Sequence, residues 1–320
     1  ITDLEVEITG SSAFHQLHWE ALKDPDSDHA LALHHPIIRK PVGHPPPMVA
    51  GQASPTLNVL LVIARPNGKH DVGYRTISRP LVEMLQNASL PVKVDILRPG
   101  TYQALSEQLE KMTSQQGKGY YHLIHFDVHG MVADYATLQN NKAQFLFKPR
   151  YGRQDLKPFE GLRAFLSLLG LKENQTDLLE ATELTHLLTH HGIPIVVLNA
   201  CQSAKQVGTA SETSLGSRFM QSGAQTVVAM AYSVHVSAAK LFMEILYEKL
   251  FEQAALSTAI RFARLALFNE KSRRAYANQK IDLEDWLLPV VYQRQTVALP
   301  LREFTEAEET AYWENEAQRY

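Results

Sequence analysis

The chain has 320 residues, of which 45% are hydrophobic and 20% are charged, so it is long enough for one large α/β domain or two smaller ones. Its formal net charge of −3 gives no electrostatic footprint for nucleic acid or for an anionic membrane, and we expect neither as a partner. The lone cysteine excludes an internal disulfide framework, and without a signal peptide or an apolar run of about 18 residues we expect a cytoplasmic protein.

The first 55 residues predict a small β-containing subdomain that ends in a linker. Residues 1–10 alternate apolar and acidic side chains, which is typical of a half-exposed strand at a sheet edge. Residues 12–22 predict a short helix. The side chains expected to be buried by this helix are Phe14, Leu17 and Trp19. Six prolines within residues 31–55 disfavour regular secondary structure, so we interpret this stretch as a Pro-rich linker.

Residues 56–300 alternate between strand and helix patterns and form the predicted main domain. The expected strands are 57–64, 92–97, 120–128, 195–199 and 226–231. The expected helices are 77–86, 102–112, 178–190, 213–222, 237–250 and 254–268. This alternation predicts right-handed βαβ crossovers, and thus an α/β fold with a mainly parallel sheet flanked by helices on both faces.

Less regular structure is expected elsewhere. About fifty residues after His129 show no clear pattern, apart from a possible hairpin strand at 145–147 and a short helix at 162–169. Residues 286–292, with a proline inside, predict an edge strand. Residues 301–320 form a polar carboxyl-terminal tail or helix.

Two predicted strands end in reactive side chains. The run Ile195–Asn199 is followed closely by Cys201, and the run 120–128 is followed at once by His129 and Gly130. Parallel strands of one sheet bring their carboxyl ends together, where ligands bind in open α/β sheets. A cysteine needs a neighbouring base to become a nucleophile, and a histidine supplies one. The alternative for a lone cysteine is a small buried hydrophobe.

These segments resemble the catalytic pair of the CHAT domain, a caspase-like family of cysteine peptidases related to separases and gingipains. Three further segments resemble that family in the same order along the chain: Leu17–Leu22 followed by Asp24 and Pro25, Leu60–Pro66, and Gly223–Ala229. The resemblance extends over about residues 10–300. It implies a caspase-like fold and a regulated cysteine endopeptidase that cuts a specific protein partner and needs no cofactor or metal.

The resemblance also assigns roles to residues. Cys201 would attack the scissile carbonyl carbon and His129 would give a proton to the leaving amine. Backbone N–H groups at Gly130 and Cys201 would stabilise the oxyanion. Asn199 would either shape the turn before the cysteine or cap the local backbone.

Substrate choice is assigned to the loop after the first main strand, where caspases place an arginine that receives aspartate. In this chain Asp71 would receive a basic side chain, whereas Arg75 would favour an acidic one, and we predict the former. Asp127 would contribute from the neighbouring strand or partner His125. The stretch 232–236 lacks the acidic residues that relatives often carry, which puts inherited specificity in doubt.

Other interpretations compete with the peptidase. Because His125, Asp127 and His129 alternate along one strand, they share a face and form an alternative metal-ligand set. A catalytically silent CHAT-like scaffold that binds proteins is the main functional alternative, and a small-substrate esterase or amidase is another, although no Gly-x-Ser-x-Gly elbow is present.

Two further predictions concern the helix 178–190 and the chain's extent. The histidines at its end, His186, His190 and His191, are expected to face solvent. Because the sequence begins with Ile1 rather than methionine, we expect a piece of a longer protein, with a regulatory or repeat domain elsewhere or a separate activator.

Overall fold

The computed structural model describes residues 4–11, 13–43, 50–66, 91–148, 150–172, 175–199, 214–230, 235–274, 279–297 and 299–317. The strands are β1 (Val6–Gly10), β2 (Ile37–Pro41), β3 (Leu57–Ile63), β4 (Val92–Leu97), β5 (Leu123–Asp127), β6 (His129–Ala133), β7 (Arg163–Leu169), β8 (Thr176–Glu180), β9 (Ile195–Asn199), β10 (Thr226–Met230), β11 (Ser272–Arg274), β12 (Lys280–Asp282) and β13 (Pro289–Gln293). The α-helices are α1 (Leu31–His34), α2 (Tyr102–Gln116), α3 (Tyr135–Asn140), α4 (Ala181–His191), α5 (Ser214–Gln221), α6 (Val236–Phe251), α7 (Leu256–Asn269) and α8 (Glu306–Ala317). In the described ranges, no helix is both long enough and apolar enough to cross a bilayer.

The centre of the fold is an eight-stranded sheet in the order β1-β2-β13-β10-β9-β5-β3-β4. Every neighbouring pair is parallel except β10 and β13. All residues of β3, β5, β9 and β10 are buried, because helices cover both faces of the sheet. The predicted α/β class with a mainly parallel sheet is therefore confirmed.

The two faces of the sheet carry separate apolar cores. On one face, α2, α4 and α5 contribute Leu105, Leu109, Leu184, Leu188, Leu215 and Phe219. On the other face, α6 and α7 contribute Phe242, Leu246, Ile260 and Leu267. Strand residues alternate between them, so that Ile124 and Phe126 face the first core while Leu123 faces the second.

A small antiparallel sheet, in the order β6-β7-β8, lies beside the first core. Leu166 and Leu168 pack into that core, and Phe165 and Leu178 face a third cluster. The expectation of an irregular stretch after His129 is wrong. So is the predicted helix at 162–169, because an apolar run of that length fits a buried strand as well as a helix. In the predicted hairpin strand at 145–147, only Phe145 forms a bridge, to Thr176.

The amino-terminal segment joins the main sheet rather than standing apart from it. As predicted, β1 is an edge strand. The predicted absence of regular structure at 31–55 is wrong for its first part, where α1 and β2 form. The predicted edge strand at 286–292 is also corrected, because β13 lies between β2 and β10. Pro289 is its first residue, a position where proline is tolerated. The division at residue 55 stays a prediction.

A buried ion cluster explains how the first segment is attached. Arg39 of β2 donates from Nε to Oε1 of Glu20 at 3.1 Å, and Arg264 of α7 lies 3.6 Å from the same oxygen. All three side chains are fully buried. Arg264 also donates to the carbonyl oxygen of Pro289 at 2.6 Å, which adds β13 to the cluster. The segment that contains Glu20 therefore folds so that this carboxylate reaches its two arginine partners in the core.

This segment forms two 3₁₀ turns, Phe14–Gln16 and Trp19–Ala21, instead of the predicted helix. Phe14 and Leu17, which we predicted to be buried, are 39% and 54% exposed, and Trp19 is half-buried. The ion pair between Glu20 and Arg39 of β2 decides which side chains of this segment are buried. Leaving a buried charge unpaired costs more free energy than exposing apolar side chains.

A second polar contact in the core joins His125 of β5 to Tyr247 of α6. The Nδ1 atom of His125 lies 2.9 Å from the Tyr247 hydroxyl, and both residues are fully buried. Burial lowers the pKa of His125 to about 4, and nearby Asp127 opposes this effect only in part. The imidazole is therefore neutral at pH 7.

We expect Glu20→Gln to lower the free energy of unfolding by about 3–5 kcal/mol, because it leaves two buried guanidinium groups without a counter-charge. The control is Glu7→Gln, which breaks an exposed pair with Lys40 on the same strand as Arg39 and costs less than about 1 kcal/mol. Urea unfolding followed by circular dichroism measures both. Equal effects of the two substitutions would show that the buried cluster does not anchor the first segment.

The folded chain should lose stability between pH 6.5 and pH 4. The unfolded chain protonates His125 near its ordinary pKa of 6.5, whereas the folded chain does so only near 4. The contribution of His125 to the free energy of unfolding is therefore fully present above pH 6.5. It is lost as the pH drops, by roughly 3 kcal/mol at 1.36 kcal/mol per pH unit.

The variant that tests this pH dependence is His125→Asn, which keeps a hydrogen-bonding group near the position of Nδ1 but cannot titrate. Urea unfolding at several pH values should give a flatter profile for this variant, whereas Tyr247→Phe should retain the steep one. An unchanged slope in His125→Asn would assign the pH dependence to other groups.

Candidate functional site

The central strands β3, β5 and β9 end at one level of the sheet. Ile63 is the register partner of Asp127, and Asp127 is the register partner of Asn199. From β3 the chain continues to β4 on one side of it and then crosses back to β5 on its other side. Such a reversal of strand order opens a crevice beyond the carboxyl ends of the strands. Strand β5 therefore borders this crevice, and β9 lies beside β5.

The side chains at these three strand ends form a connected network around Asp127. Arg65, just after β3, donates to Oδ1 of Asp127 and to its carbonyl oxygen, each at 2.6 Å. Asn199 donates from Nδ2 to the same Oδ1 at 3.2 Å. Asp127 is 2% exposed, and its carboxylate is offset by the guanidinium. This network holds the ends of β3, β5 and β9 together.

His129 lies where the chain leaves the main sheet. It is the first residue of β6, two residues after Asp127, and its register partner is Ser167 of the small sheet. The residue is half-buried. Gly130 follows it, buried opposite Leu166.

Other residues of the predicted site lie outside the described residues. These are Cys201, Asp71, Arg75 and most of the stretch 232–236. The predicted helix 77–86 lies outside them as well. Asn199, the last described residue before Cys201, donates from its amide to Asp127 of the neighbouring strand.

The alternative metal set on β5 does not form in the described part of the chain. His125 faces Tyr247, Asp127 is engaged by Arg65, and these two do not form a metal-ligand group with His129. The prediction that the α4 histidines face solvent holds for His186 and His190, but it is wrong for His191, which is 2% exposed.

Sequence reasoning missed Arg65. A functional side chain close behind a buried strand is the signal that singles out His129, and Arg65, two residues after β3, shows the same pattern. What the sequence does not show is the register of β3 against β5, which brings the guanidinium to a carboxylate 62 positions along the chain. Arg65 therefore links the end of β3 to the end of β5.

Comparison with known proteins gives a family and distant structural likenesses. The sequence model of the CHAT domain matches residues 2–317. A chain of the Saccharomyces cerevisiae separase–securin complex is 14% identical, with a TM-score of 0.45 over 91% of this chain and 15% of that chain. Caspase-1 from Spodoptera frugiperda is 12% identical, with a TM-score of 0.44 over 84% of this chain and 99% of that chain.

No curated protein matches the sequence. This chain spans 15% of the length of the matched chain in the separase–securin complex. The family match, by contrast, extends from the first edge strand to the last helix, and the chain therefore belongs to the CHAT domain family.

Proposed function

We propose that the chain is a cysteine endopeptidase that cuts a protein substrate, with Cys201 as the nucleophile and His129 as the general acid and base. One observation carries this proposal. Asp127 and Asn199 are register partners on adjacent parallel strands, and each proposed catalytic residue follows its partner by two positions. Under this proposal, the two reactive side chains approach each other from neighbouring strand ends.

The chemistry needs a thiol and an imidazole. His129 takes the proton of the Cys201 thiol, and the thiolate sulfur attacks the scissile carbonyl carbon to form a tetrahedral intermediate. The imidazolium then donates that proton to the leaving amine, and an acyl-enzyme remains. Water, deprotonated by His129, hydrolyses the thioester and releases Cys201. We assign the oxyanion contacts to the backbone N–H groups of Gly130 and Cys201.

The network around Asp127 supports this assignment because it fixes the backbone just before His129. Arg65 donates to both the side chain and the main chain of Asp127, which limits movement at the end of β5. The ladder between β6 and β7 fixes the chain on the other side of His129. We therefore regard Arg65 and Asn199 as positioning residues for the proposed pair.

For substrate choice we propose Asp71 as the carboxylate that receives a basic side chain before the cut. Asp127 stays a second candidate for this pocket. Because its carboxylate is buried against Arg65, a basic substrate side chain would have to share it with that guanidinium. The assignment to Asp71 rests on the family resemblance of the loop after β3.

We also propose that a further domain or a separate activator regulates cleavage. His129 lies in the small sheet, whereas the strand that leads to Cys201 lies in the main sheet. A shift of one sheet against the other therefore changes the distance between the proposed partners, which gives an effector a way to select the active arrangement.

The first test of this proposal compares cleavage of a mixed peptide library by the wild-type chain, Cys201→Ala and His129→Ala, with products read by mass spectrometry. Loss of either residue should reduce cleavage by about 10³-fold or more, or about 4 kcal/mol of transition-state stabilisation. His186→Ala, at an exposed histidine of α4, is the matched control and should leave cleavage unchanged.

Persistent cleavage by Cys201→Ala would contradict the proposal. If the wild-type chain does not cleave peptides, the rate of Cys201 alkylation by iodoacetamide distinguishes a peptidase that needs an activator from a silent scaffold. A rate above that of a free thiol, which falls in His129→Ala, supports a paired nucleophile. A slow rate that is independent of His129 supports the silent scaffold instead.

The second test concerns the residue before the cut. Wild-type cleavage should follow Lys or Arg, and Asp71→Asn should reduce the rate at these sites by about 10- to 100-fold, since it removes the counter-charge of the pocket. Arg75→Gln is the matched control. Cuts after acidic residues that disappear in Arg75→Gln would reverse the assignment of the pocket.

A further inference from the structure

A cluster of two histidines and one glutamate lies between α2 and α4, away from the crevice. Glu110 comes from α2, and His190 and His191 are the last two residues of α4. Their nearest ligand atoms all lie within 4.8 Å of one another. Oε1 of Glu110 is 3.7 Å from Nε2 of His191 and 3.9 Å from Nε2 of His190.

His191 is held in a fixed orientation with one nitrogen left over. Its side chain is 1% exposed, and Nδ1 lies 2.7 Å from the hydroxyl oxygen of Thr113. Within the described part of the chain, Nε2 is buried and has no hydrogen-bond partner. A buried polar atom left in this way costs free energy unless another ligand satisfies it. Nε2 points toward the Glu110 carboxylate, which is the open side of the cluster.

The end of α4 is fixed against the end of α2 by close backbone contact. Gly192 ends α4 in the left-handed conformation, with φ of 76°. A Cβ atom at this position would lie 2.7 Å from the backbone nitrogen of Gly119. That nitrogen donates to the carbonyl oxygen of His191 at 2.8 Å. The juxtaposition of His191 and Glu110 is therefore set by the backbone.

We propose that Glu110, His190 and His191 bind a divalent transition-metal ion of the zinc class, with water completing the coordination. Two imidazole nitrogens and one carboxylate oxygen form a donor set typical of zinc, whereas Mg²⁺ and Ca²⁺ prefer oxygen ligands only. A metal-ligating histidine usually donates its other ring N–H to an outer partner, and the Thr113 hydroxyl can accept from Nδ1 of His191 in this way.

The arrangement needs only small side-chain movements to close on an ion. Ligand atoms around zinc lie about 2.0–2.2 Å from the metal, so the present separations must shorten. Glu110 and His190 are 60% and 61% exposed, which leaves their rotamers free to adjust. With Nδ1 against the Thr113 hydroxyl, the buried Nε2 is the His191 atom placed to bind the ion. The nearby Lys118 ammonium opposes a cation, and the Glu110 carboxylate offsets it.

The test uses the full chain with Cys201→Ala as the parent, so that the lone thiol cannot bind the probe. Zn²⁺ is titrated in competition with a chromophoric chelator, and Co²⁺ absorption reports the coordination geometry. We expect one equivalent to bind and to raise the Tm of the parent. Glu110→Gln and His190→Gln should each weaken binding by about tenfold or more.

Both decisive substitutions are at exposed side chains, so they leave the fold intact. His186→Gln, one turn earlier on α4 and also exposed, is the control and should bind Zn²⁺ as the parent does. Absence of Zn²⁺ binding by the parent would overturn the proposal. So would undiminished binding in both Glu110→Gln and His190→Gln, and so would equal stabilisation by Mg²⁺ or Ca²⁺.

Discussion

The ion pair between Arg65 and Asp127 fixes the level at which three neighbouring strands end. It joins the segment after β3 to the last residue of β5, and Asn199 adds β9 through the same carboxylate oxygen. Removal of one partner from a buried pair of this kind typically costs about 3–5 kcal/mol, because the other charge remains without water or a counter-ion. The relative positions of the strand ends that precede the proposed catalytic residues depend on this contact.

The need of a buried polar group for a partner also applies to other residues of the fold. Glu20 is tolerated in the core because Arg39 and Arg264 surround it, and His125 is tolerated because it stays neutral against Tyr247. Nδ1 of His191 has a partner and its buried Nε2 has none in the described part of the chain, as is also true of His125. What distinguishes His191 is the carboxylate of Glu110 and the second imidazole beside its Nε2, which make it a candidate ligand.

The sequence predicts those parts of the fold in which burial dictates residue type. Strands β3, β9 and β10 follow from continuous apolar runs and β4 from a mixed one, and their observed ends agree with the predicted ones within about one residue. The strand β7 was predicted as a helix, because a short apolar run does not distinguish the two. Long-range contacts account for the other errors. The burial of Glu20 depends on Arg39, and the role of Arg65 depends on strand register, neither of which a local pattern encodes.

The pairing of β13 with β2 has a consequence for how the domain forms. These strands come from opposite ends of the chain, yet Tyr292 is the register partner of Arg39, and together they cover the flank of β10. Trimming the chain past β2 would expose the edge of β13, and trimming it past β13 would expose the edge of β10. The unpaired N–H and C=O groups of such an edge invite aggregation. Because such contacts close only after nearly the whole chain is present, we expect slow folding and no autonomous core fragment.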